Sequence, residues 1–340
     1  MQMREKADPS LALRMTNPGI LRITTQSQAG EETPDRWREI SIIELNESQK
    51  GQNKMATAAE KRAKLKQMVQ QQVCHIAPSC SDGIQARLVE WLKFPLVHIS
   101  GSGQHRSLGF ADAGMLTLTE MVNKAREICD AVDIPVVSDA ETGYGNPVNT
   151  VRTMREMEKA GVAAVHIEDQ LTPKRAGHEG FDVSLISREE FVAKIKAACD
   201  TRQDKNLVII ARSEAKDSLQ ERVERVALCC EAGADAVWVS ARTEEEIRAF
   251  AKIGKPMCGV PPRGLMPISR YGELGGRIGC IPTVLQVAAL HGMRMALEEL
   301  RDKGTEAGYF KSTPGIEDTR KWYANLGNDE LKALEAKYKY

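Results

Sequence analysis

The sequence predicts an α/β fold in which eight parallel strands form a (β/α)8 barrel. From residue 73 onward, short β-branched or apolar runs alternate with amphipathic segments, which is typical of parallel strands joined by crossover helices. A doubly wound open sheet is the alternative, but a count of eight strands favours the barrel. The eight predicted strands cover residues 73–77, 96–100, 136–139, 164–168, 207–212, 236–239, 257–260 and 278–281.

Helical segments separate these strands. A run of good helix formers at 56–72 precedes the first strand. Gly161, Gly233 and Gly254 lie just past the ends of three predicted helices, where glycine commonly caps a helix. Amphipathic helices are expected at 147–160, 188–199, 219–232 and 244–253.

The two ends of the 340-residue chain differ from the barrel segment. Residues 1–54 are polar with short apolar patches, so we expect a largely disordered extension before a barrel domain at 55–302. Residues 303–340 predict a helical tail with apolar spots on charged segments. The tail either packs on its own barrel or docks on a neighbouring subunit. The apolar spots are Trp322, Tyr323, Leu326, Leu331, Leu334 and Tyr338.

Charge balance, hydropathy and cysteine spacing indicate which partners and which cellular compartment to expect. Lys plus Arg equals Asp plus Glu at 47 each, which gives no indication of a nucleic-acid or acidic-membrane partner. No apolar run approaches the roughly 20 residues that span a bilayer. The eight cysteines form no C-x-x-C pair, which predicts reduced, buried thiols in an intracellular protein rather than disulfides or a zinc site. We expect a cytoplasmic protein, with organellar targeting by the N-terminal extension as the open alternative.

Carboxylates follow two consecutive predicted strands. Asp139 ends one strand, with Glu141 two residues later, and Glu168 ends the next; Asp112 lies in the loop after the second predicted strand. Active sites of parallel barrels lie at the carboxyl ends of the strands. Carboxylate oxygens suit Mg2+, which keeps several of its waters. The sequence therefore predicts a Mg2+ site; taken singly, each acid could instead be a surface group or a helix cap.

Other strand ends carry groups that suit an anionic substrate. Ser100, Gly101 and Ser102 could offer backbone N–H groups and hydroxyls to a carboxylate or oxyanion. Arg212 could hold a carboxylate with two parallel hydrogen bonds. The alternatives are an ordinary tight turn for the Ser-Gly-Ser run and a structural salt bridge for Arg212.

A basic loop follows the predicted strand 164–168. It carries Lys174, Arg175 and His178 and contains a glycine, so it could close over a substrate. We expect these three residues, with Glu168, to take part in catalysis. The alternative is a solvated basic loop.

These motifs, in this order, resemble the isocitrate lyase and phosphoenolpyruvate (PEP) mutase superfamily, and the small size is similar to its methylisocitrate lyase branch. The resemblance covers about residues 70–300. It rests on Ser-Gly at 100–101, Leu-Gly-x-x-Asp-x-Gly at 108–114, Asp-Ala-Glu-Thr-Gly-Tyr-Gly at 139–145, Glu-Asp-Gln at 168–170, Lys-Arg-x-Gly-His at 174–178 and Ala-Arg-Ser-Glu-Ala at 211–215.

The resemblance implies a (β/α)8 barrel with Mg2+ or Mn2+, a small 2-oxo or 2-hydroxy di- or tricarboxylic acid substrate and an enolate intermediate. It also implies a homo-oligomer, a dimer or a tetramer, often with exchanged C-terminal helices. By the motif match, Asp139 would bind the metal directly, and Glu141, Asp112 and Glu168 would act through water. The oxo-acid carboxylate would be held by Ser100, Gly101, Ser102 and Arg212.

Departures from the family pattern shape the functional hypothesis. Lyases of this family carry a cysteine as acid/base in the basic loop, where this chain has Ala176. Glu141 replaces an aspartate, and His98 stands where the family commonly has tyrosine. Because alanine cannot transfer a proton, we favour an oxaloacetate-type decarboxylation, in which water, His178 or His105 would protonate the enolate. The alternatives are a methylisocitrate- or 2,3-dimethylmalate-like C–C lyase, a phosphonopyruvate-type P–C enzyme and a non-catalytic acid-binding relative.

Overall fold

The computed structural model describes the backbone of residues 11–15 and 21–25, together with residues 55–175, 183–216, 218–262 and 266–339. The N-terminal unit, residues 1–55, contains two strands in its described part. These are β1 (Leu11–Met15) and β2 (Leu21–Thr25), which pair antiparallel. All other described elements belong to a second unit, residues 56–340.

Eight parallel strands of the second unit form the predicted barrel. In chain order they are β3 (His75–Pro78), β4 (Val97–Ile99), β5 (Val136–Asp139), β6 (Ala164–Glu168), β7 (Val208–Arg212), β8 (Ala236–Ser240), β9 (Met257–Val260) and β10 (Gly276–Ile281). Their spatial order is β3-β10-β9-β8-β7-β6-β5-β4. A parallel bridge between Ser79 and His98 joins the two end strands. The fold class and all eight strands are thus confirmed, with boundaries shifted by up to two residues.

Helices connect and surround the strands. The described helices are α1 (Ala58–Met68), α2 (Gly83–Trp91), α3 (Gly101–Ser107), α4 (Leu118–Ala131), α5 (Pro147–Lys159), α6 (Arg188–Thr201), α7 (Leu219–Glu231), α8 (Glu244–Ala251), α9 (Ile268–Glu273), α10 (Val284–Lys303), α11 (Ala307–Ser312), α12 (Ile316–Ala324) and α13 (Asn328–Tyr338). Side-chain oxygens of Thr57, Asn146 and Ser187 accept backbone N–H groups at helix starts, which fixes those ends. None of these helices is both long and apolar enough to cross a membrane.

Helix α1 covers one end of the barrel interior. Its buried Leu65 and Met68 pack with inward-facing strand residues such as Val137 and Ile210. The buried Lys61 ammonium donates to the carbonyl of Cys129 at 2.8 Å. Since this carbonyl precedes β5, α1 lies at the amino ends of the strands and leaves the carboxyl ends for the site.

The C-terminal helices pack little against the barrel. Helix α10 has 20 residues and none of them is buried, although its first turn donates from Gln286 to the Gly103 carbonyl at 2.7 Å. In α12, Trp322 contacts Trp91 of α2 with ring centroids 5.6 Å apart. Helix α10 precedes the predicted tail, so the contact of Trp322 with Trp91 supports packing of the tail on its own barrel, and docking of the tail on a neighbouring subunit stays a prediction.

Candidate active site

The carboxyl ends of β5, β6 and β7 bring three charged side chains together. Glu168 and Arg212 are register partners at the ends of β6 and β7, and Arg212 Nη2 lies 3.2 Å from Glu168 Oε2. Arg212 Nη1 lies 3.4 Å from Asp139 Oδ2 at the end of β5. All three are at least half-buried, and Asp139 and Glu168 are fully so. The predicted convergence of strand-end charges is therefore present.

The loop after β5 turns the Glu141 carboxylate back towards Asp139. Glu141 has a φ of 52°, and Gly143, Tyr144 and Gly145 also have positive φ. Two of these four positions are glycine, which adopts this backbone region without a Cβ penalty. The turn lets the Glu141 backbone N–H donate to Asp139 Oδ1 at 2.8 Å. Glu141 is buried as well, so the two carboxylates lie close together in a largely buried site.

Helix α3 supplies a second backbone donor to Asp139. The Gly101 N–H donates to Asp139 Oδ2 at 3.1 Å. A Cβ at position 101 would lie 2.8 Å from that same oxygen and would overlap the Glu141 carboxylate, so only glycine fits. The sequence did not predict this helix; Ser100 caps it by accepting from the Gly103 N–H. The predicted Gly101 N–H donor exists, and in this structure it faces a site carboxylate.

Lys174 lies among the acids. Its ammonium is 2.9 Å from Asp112 Oδ1 and 3.8 Å from Glu168 Oε1, and it forms an ion pair with Glu141 Oε2. Lys174 is buried, and these acids raise its pKa well above the ordinary value despite burial, which opposes the rise. The first residue of the predicted basic loop is therefore a constant positive charge within the carboxylate cluster.

Burial and neighbouring charges shift the pKa values of the carboxylates in this cluster. Burial raises the pKa of Glu141 to about 8; Lys174 opposes the rise, and the carboxylates of Asp139 and Glu168 add to it. Burial also raises the pKa of Glu168 to about 7, against the opposing charges of Lys174 and Arg212. For Asp139, burial would raise the pKa, but His166, Arg212 and Lys174 lower it below its ordinary value. Asp139 is thus ionised at physiological pH.

The acids are suited to hold a divalent metal. Oε1 of Glu141 is buried and accepts no hydrogen bond within the described part of the chain, whereas Oδ1 of Asp112 faces the Lys174 ammonium and Oε2 of Glu168 faces the Arg212 guanidinium. One oxygen each of Asp112 and Glu141 and one nitrogen of His105 lie within 4.8 Å of one another. His105 is already engaged, because its Nδ1 donates to the Gly101 carbonyl and its Nε2 accepts from the Leu116 N–H. The available ligands are therefore carboxylate oxygens, which suit a hard cation.

A polar pocket opens beside these acids. Asp112, Lys174 and Arg212 line it, so it borders the carboxylate cluster directly, and no described lining residue is a cysteine. The other described lining residues are Gln170, Arg175, Val183, Glu214 and Lys216. The predicted loop residues Lys174 and Arg175 are thus at the pocket. Ala176 and His178 lie outside the described residues.

Comparison with known proteins decides the family. The family model described as phosphoenolpyruvate phosphomutase matches residues 65–301. The chain belongs to this family. A 2,3-dimethylmalate lyase from Eubacterium barkeri is 35% identical over 286 residues, which cover 81% of this chain and 97% of that protein. A 2-methylisocitrate lyase from Aeropyrum pernix is 36% identical, covering 71% and 80%.

Solved structures of the PEP mutase and isocitrate lyase superfamily agree. A phosphoenolpyruvate phosphomutase from Streptomyces platensis subsp. rosaceus has a TM-score of 0.76 at 27% identity, covering 82% of this chain and 99% of that one. An oxaloacetate acetylhydrolase with its product oxalate has a TM-score of 0.73 at 26% identity, covering 83% and 99%. A phosphonopyruvate hydrolase with oxalate and Mg2+ has a TM-score of 0.73 at 28% identity, covering 82% and 99%.

These comparisons confirm three predictions. The chain is a member of the superfamily, its fold is that superfamily's barrel, and it is an enzyme of the carbon–carbon lyase class. They speak against the alternative of a non-catalytic relative. The named activities of the similar proteins differ from one another, so family membership alone leaves the substrate open.

Several site residues were missed from the sequence. Glu214 pairs with Arg212 at 2.6 Å, and its own N–H donates to Asp169 Oδ1 at 2.8 Å. Asp169 also accepts from Ser213 at 2.6 Å and contacts Arg225 at 3.2 Å. This network holds the β7 end that carries Arg212. Asp169 and Glu214 belong to the family motifs in the sequence, so both could have been recognised as candidate site residues. No sequence pattern links them to Arg225 on α7.

Proposed function

We propose that this enzyme is a Mg2+-dependent lyase that decarboxylates an oxaloacetate-type 2-oxo dicarboxylic acid through an enolate. One observation carries the proposal: buried carboxylates, the buried Lys174 and the largely buried Arg212 meet at a pocket whose described lining contains no thiol. The acid-rich site suits a metal, and the cations suit an anionic substrate. Decarboxylation does not require a thiol to act as an acid at position 176.

The metal would be Mg2+, or Mn2+ as a substitute. Asp139 would bind it directly, because this carboxylate stays ionised and two backbone N–H groups fix its orientation. Asp112, Glu141 and Glu168 would hold its waters. When bound, such a cation stabilises negative charge that develops on a substrate oxygen.

Recognition of the substrate would rest on Arg212 and the basic loop. Arg212 lines the pocket, and Trp238, with its ring centroid 5.7 Å from the guanidinium carbon, packs beside it. Ser100 and Ser102 bond to each other through their hydroxyls at 3.0 Å and start α3. Arg212, Ser100 and Ser102 would hold the oxo-acid carboxylate. Arg175, which also lines the pocket, would face the second carboxylate of the substrate.

The reaction breaks the bond between C3 of the substrate and its distal carboxylate carbon. The electron pair of that bond becomes the enolate, carbon dioxide leaves, and C3 takes one proton to give the 2-oxo monocarboxylate. Lys174 and Arg212 place positive charge beside the developing oxyanion. The proton would come from water or His178. His105 is unsuited, since both of its ring nitrogens are hydrogen-bonded within the fold.

A second candidate is a C–C lyase acting on a 2,3-dimethylmalate- or methylisocitrate-like acid. The similarity to the 2,3-dimethylmalate lyase, which extends over 97% of that protein, favours it. It requires another group in place of the loop thiol. P–C bond chemistry is a third candidate, supported by the structural similarity to the phosphomutase and the phosphonopyruvate hydrolase.

We further propose a cytoplasmic homo-oligomer, a dimer or tetramer, built from a barrel domain at 55–302 and a helical tail at 303–340. Seven large apolar side chains of α10 are at least two-fifths exposed, which suits a partner subunit. All eight cysteines are unpaired; five are buried, and Cys74, Cys199 and Cys230 are half-buried, which suits a reducing compartment.

A substrate panel tested on the wild-type protein and on the Ala176→Cys variant separates these functions. Purified protein with Mg2+ is tested on oxaloacetate, 2,3-dimethylmalate, methylisocitrate and phosphonopyruvate. The proposal expects turnover of oxaloacetate alone, and it expects the Ala176→Cys variant to gain lyase activity on the 2-hydroxy acids. Turnover of a 2-hydroxy acid by the wild-type protein, without oxaloacetate decay above the Mg2+ rate, would establish the second candidate instead.

A further inference from the structure

Arg225 is a buried arginine on α7, and it is not among the described residues that line the pocket. Its Nη1 lies 3.2 Å from Asp169 Oδ2. Nη1 and Nη2 donate to the Ile186 carbonyl at 3.0 and 3.1 Å, and Nε donates to Glu221 Oε1 at 2.7 Å. One guanidinium therefore joins three parts of the chain: the residue after β6, the residues before α6 and its own helix.

Asp169 and Ile186 belong to a short antiparallel pairing of residues 169–171 with 184–186, which we call the neck. The Ile186 N–H donates to the Asp169 carbonyl at 3.0 Å, and a second backbone hydrogen bond of 2.8 Å lies at the other end of the pairing. An antiparallel bridge lies between them. Because an isolated pair of strands is at best marginally stable in water, the neck needs support from elsewhere. Arg225 contacts both of its segments at one end.

Three pocket residues lie in the neck or close to it. Gln170 belongs to the neck, Lys174 follows its first segment by three residues, and Val183 directly precedes its second segment. All three line the pocket. Since only two residues separate the neck from Lys174, a shift of the neck would change the position of the Lys174 ammonium relative to the acids.

The same arginine supports Arg212 through Asp169. Asp169 is fully buried, and its carboxylate accepts from the Ser213 hydroxyl at 2.6 Å and from the Glu214 N–H at 2.8 Å. These two residues directly follow Arg212, and the Glu214 carboxylate contacts the Arg212 guanidinium at 2.6 Å. Without Arg225, the buried Asp169 carboxylate would lose the cation that it contacts, which is strongly destabilising in a protein interior. The chain after β7 would then lose its fixed position.

We infer that Arg225 is a positioning residue: from outside the pocket it fixes the neck and the chain after β7, and it thereby places Lys174 and Arg212 to bind the anionic substrate. It acts through Asp169 and the Ile186 carbonyl, since no contact joins Arg225 to either cation in the described part of the chain. The fixed neck is a property of the resting protein, whereas the effect on substrate binding rests on the proposed function.

The chemistry of arginine suits this position. A guanidinium carries five N–H donors in a rigid fork, so it can reach three acceptors that lie in different directions. Lysine would keep the charge beside Asp169 but would present a single point donor in place of the fork. Arg225→Lys should therefore retain part of the effect that Arg225→Met removes. Arg222→Met is the matched control, because Arg222 lies on the same helix and pairs with Glu246 of α8 at 3.1 Å instead of with the neck.

The first test measures hydrogen–deuterium exchange of the full-length protein by mass spectrometry, with peptides that contain the Leu171 and Ile186 amides. Arg225→Met should raise exchange at these amides about 10-fold or more, because hydrogen bonds to a charged group oppose local opening. Exchange in β4 should stay as in the wild type, and Arg222→Met should leave the neck unchanged. Arg225→Lys should give a smaller rise, and it takes the place of the methionine variant if that variant does not fold. Unchanged exchange at the neck, or an equal rise in β4, would overturn the inference.

The second test measures the dissociation constant of oxalate, a small dicarboxylate probe, by calorimetry in the presence of Mg2+. Arg225→Met should raise this constant about 10-fold or more, because displacement of binding groups by about 1 Å can cost this much. Arg225→Lys should recover part of the affinity, since it keeps the charge beside Asp169. An unchanged constant in Arg225→Met, or an equal increase in Arg222→Met, would overturn the positioning role.

These outcomes separate the inference from the proposed function. Absence of oxalate binding by the wild-type protein would contradict the proposed substrate pocket, and exchange at the neck alone would then decide the inference. Oxalate binding by the wild-type protein, together with unchanged exchange at the neck of Arg225→Met, would leave the proposed function in place and remove the role of Arg225.

Discussion

Arg212 and Glu168 are opposite each other at the ends of adjacent strands, with Nη2 of the arginine 3.2 Å from Oε2 of the glutamate. The same guanidinium also contacts Asp139 at 3.4 Å and Glu214 at 2.6 Å. One side chain thus balances three acids in a largely buried setting. Removal of one partner from such a group leaves uncompensated buried charge, which is more costly than the pair itself is stabilising.

Arg212→Gln should therefore lower the free energy of unfolding by about 3 kcal/mol, within the range for broken buried ion pairs. It should also abolish turnover, because the pocket loses a cation. The measurement is urea unfolding followed by circular dichroism. Arg248→Gln, which breaks an exposed pair with Glu244, is the control and should change stability by less than about 0.5 kcal/mol. An unchanged unfolding midpoint for Arg212→Gln would show that the guanidinium does not balance these acids.

Gly101→Ala should disable the metal site without unfolding the protein. Its new Cβ would overlap Glu141 and lie 2.8 Å from Asp139 Oδ2, so the carboxylates must move. We expect a loss of Mn2+ affinity measured by titration. Gly103→Ala in the same helix is the matched control, since its Cβ would meet nothing nearer than 3.5 Å. It should bind normally and be equally or more stable, as alanine favours helix by up to about 1 kcal/mol. Normal Mn2+ binding by Gly101→Ala would argue against a metal at these carboxylates.

The buried His98 predicts a pH dependence of stability. Burial lowers its pKa from 6.5 to about 4, so the unfolded chain takes up the proton first as pH falls. Stability should therefore decrease between about pH 6.5 and 4, by up to about 3 kcal/mol from this residue. Wild-type protein and His98→Gln are compared by urea unfolding across this range. The stability difference between them should shift in favour of the variant as pH falls; a constant difference would contradict a buried neutral His98.

The exposed apolar side chains of helix α10 indicate that the protein forms an oligomer. Leu290, Met293, Leu297 and Leu300 recur at spacings of three and four, and each is between 46% and 65% exposed. We expect light scattering after size exclusion to give a dimer or tetramer mass. Leu290→Glu with Leu297→Glu should shift the mass towards the monomer, whereas Arg294→Glu on the same helix should not. A monomeric wild-type protein would contradict this prediction, because the exposed apolar side chains of α10 would then serve no subunit interface.

Much of the fold was accessible from the sequence because parallel strands leave a strong local pattern. The alternation of apolar runs and helices predicted all eight strands, and strand-end acids predicted the meeting of Asp139 with Glu168. Helix α3 was missed, since a Gly-Ser-Gly run has low helix propensity and its start is supported here by the Ser100 cap.

The parts of the site that depend on side-chain direction were not predictable. The sequence indicated that Lys174 lies in a basic loop but not that its ammonium sits among three acids. His98 was noted only as a departure from the family, and its contact with His166 joins residues 68 positions apart. Such contacts depend on rotamers and on barrel geometry, which a linear pattern does not encode.

Oxaloacetate decay with and without metal tests the central claim most directly. Protein stripped with EDTA and dialysed is mixed with oxaloacetate, and pyruvate is measured before and after Mg2+ is added back, beside Mg2+ alone and an Asp139→Asn variant. We predict pyruvate formation that requires both Mg2+ and the wild-type protein and exceeds the Mg2+ rate. Pyruvate formation at the Mg2+ rate alone, or equal formation by Asp139→Asn, would contradict the account.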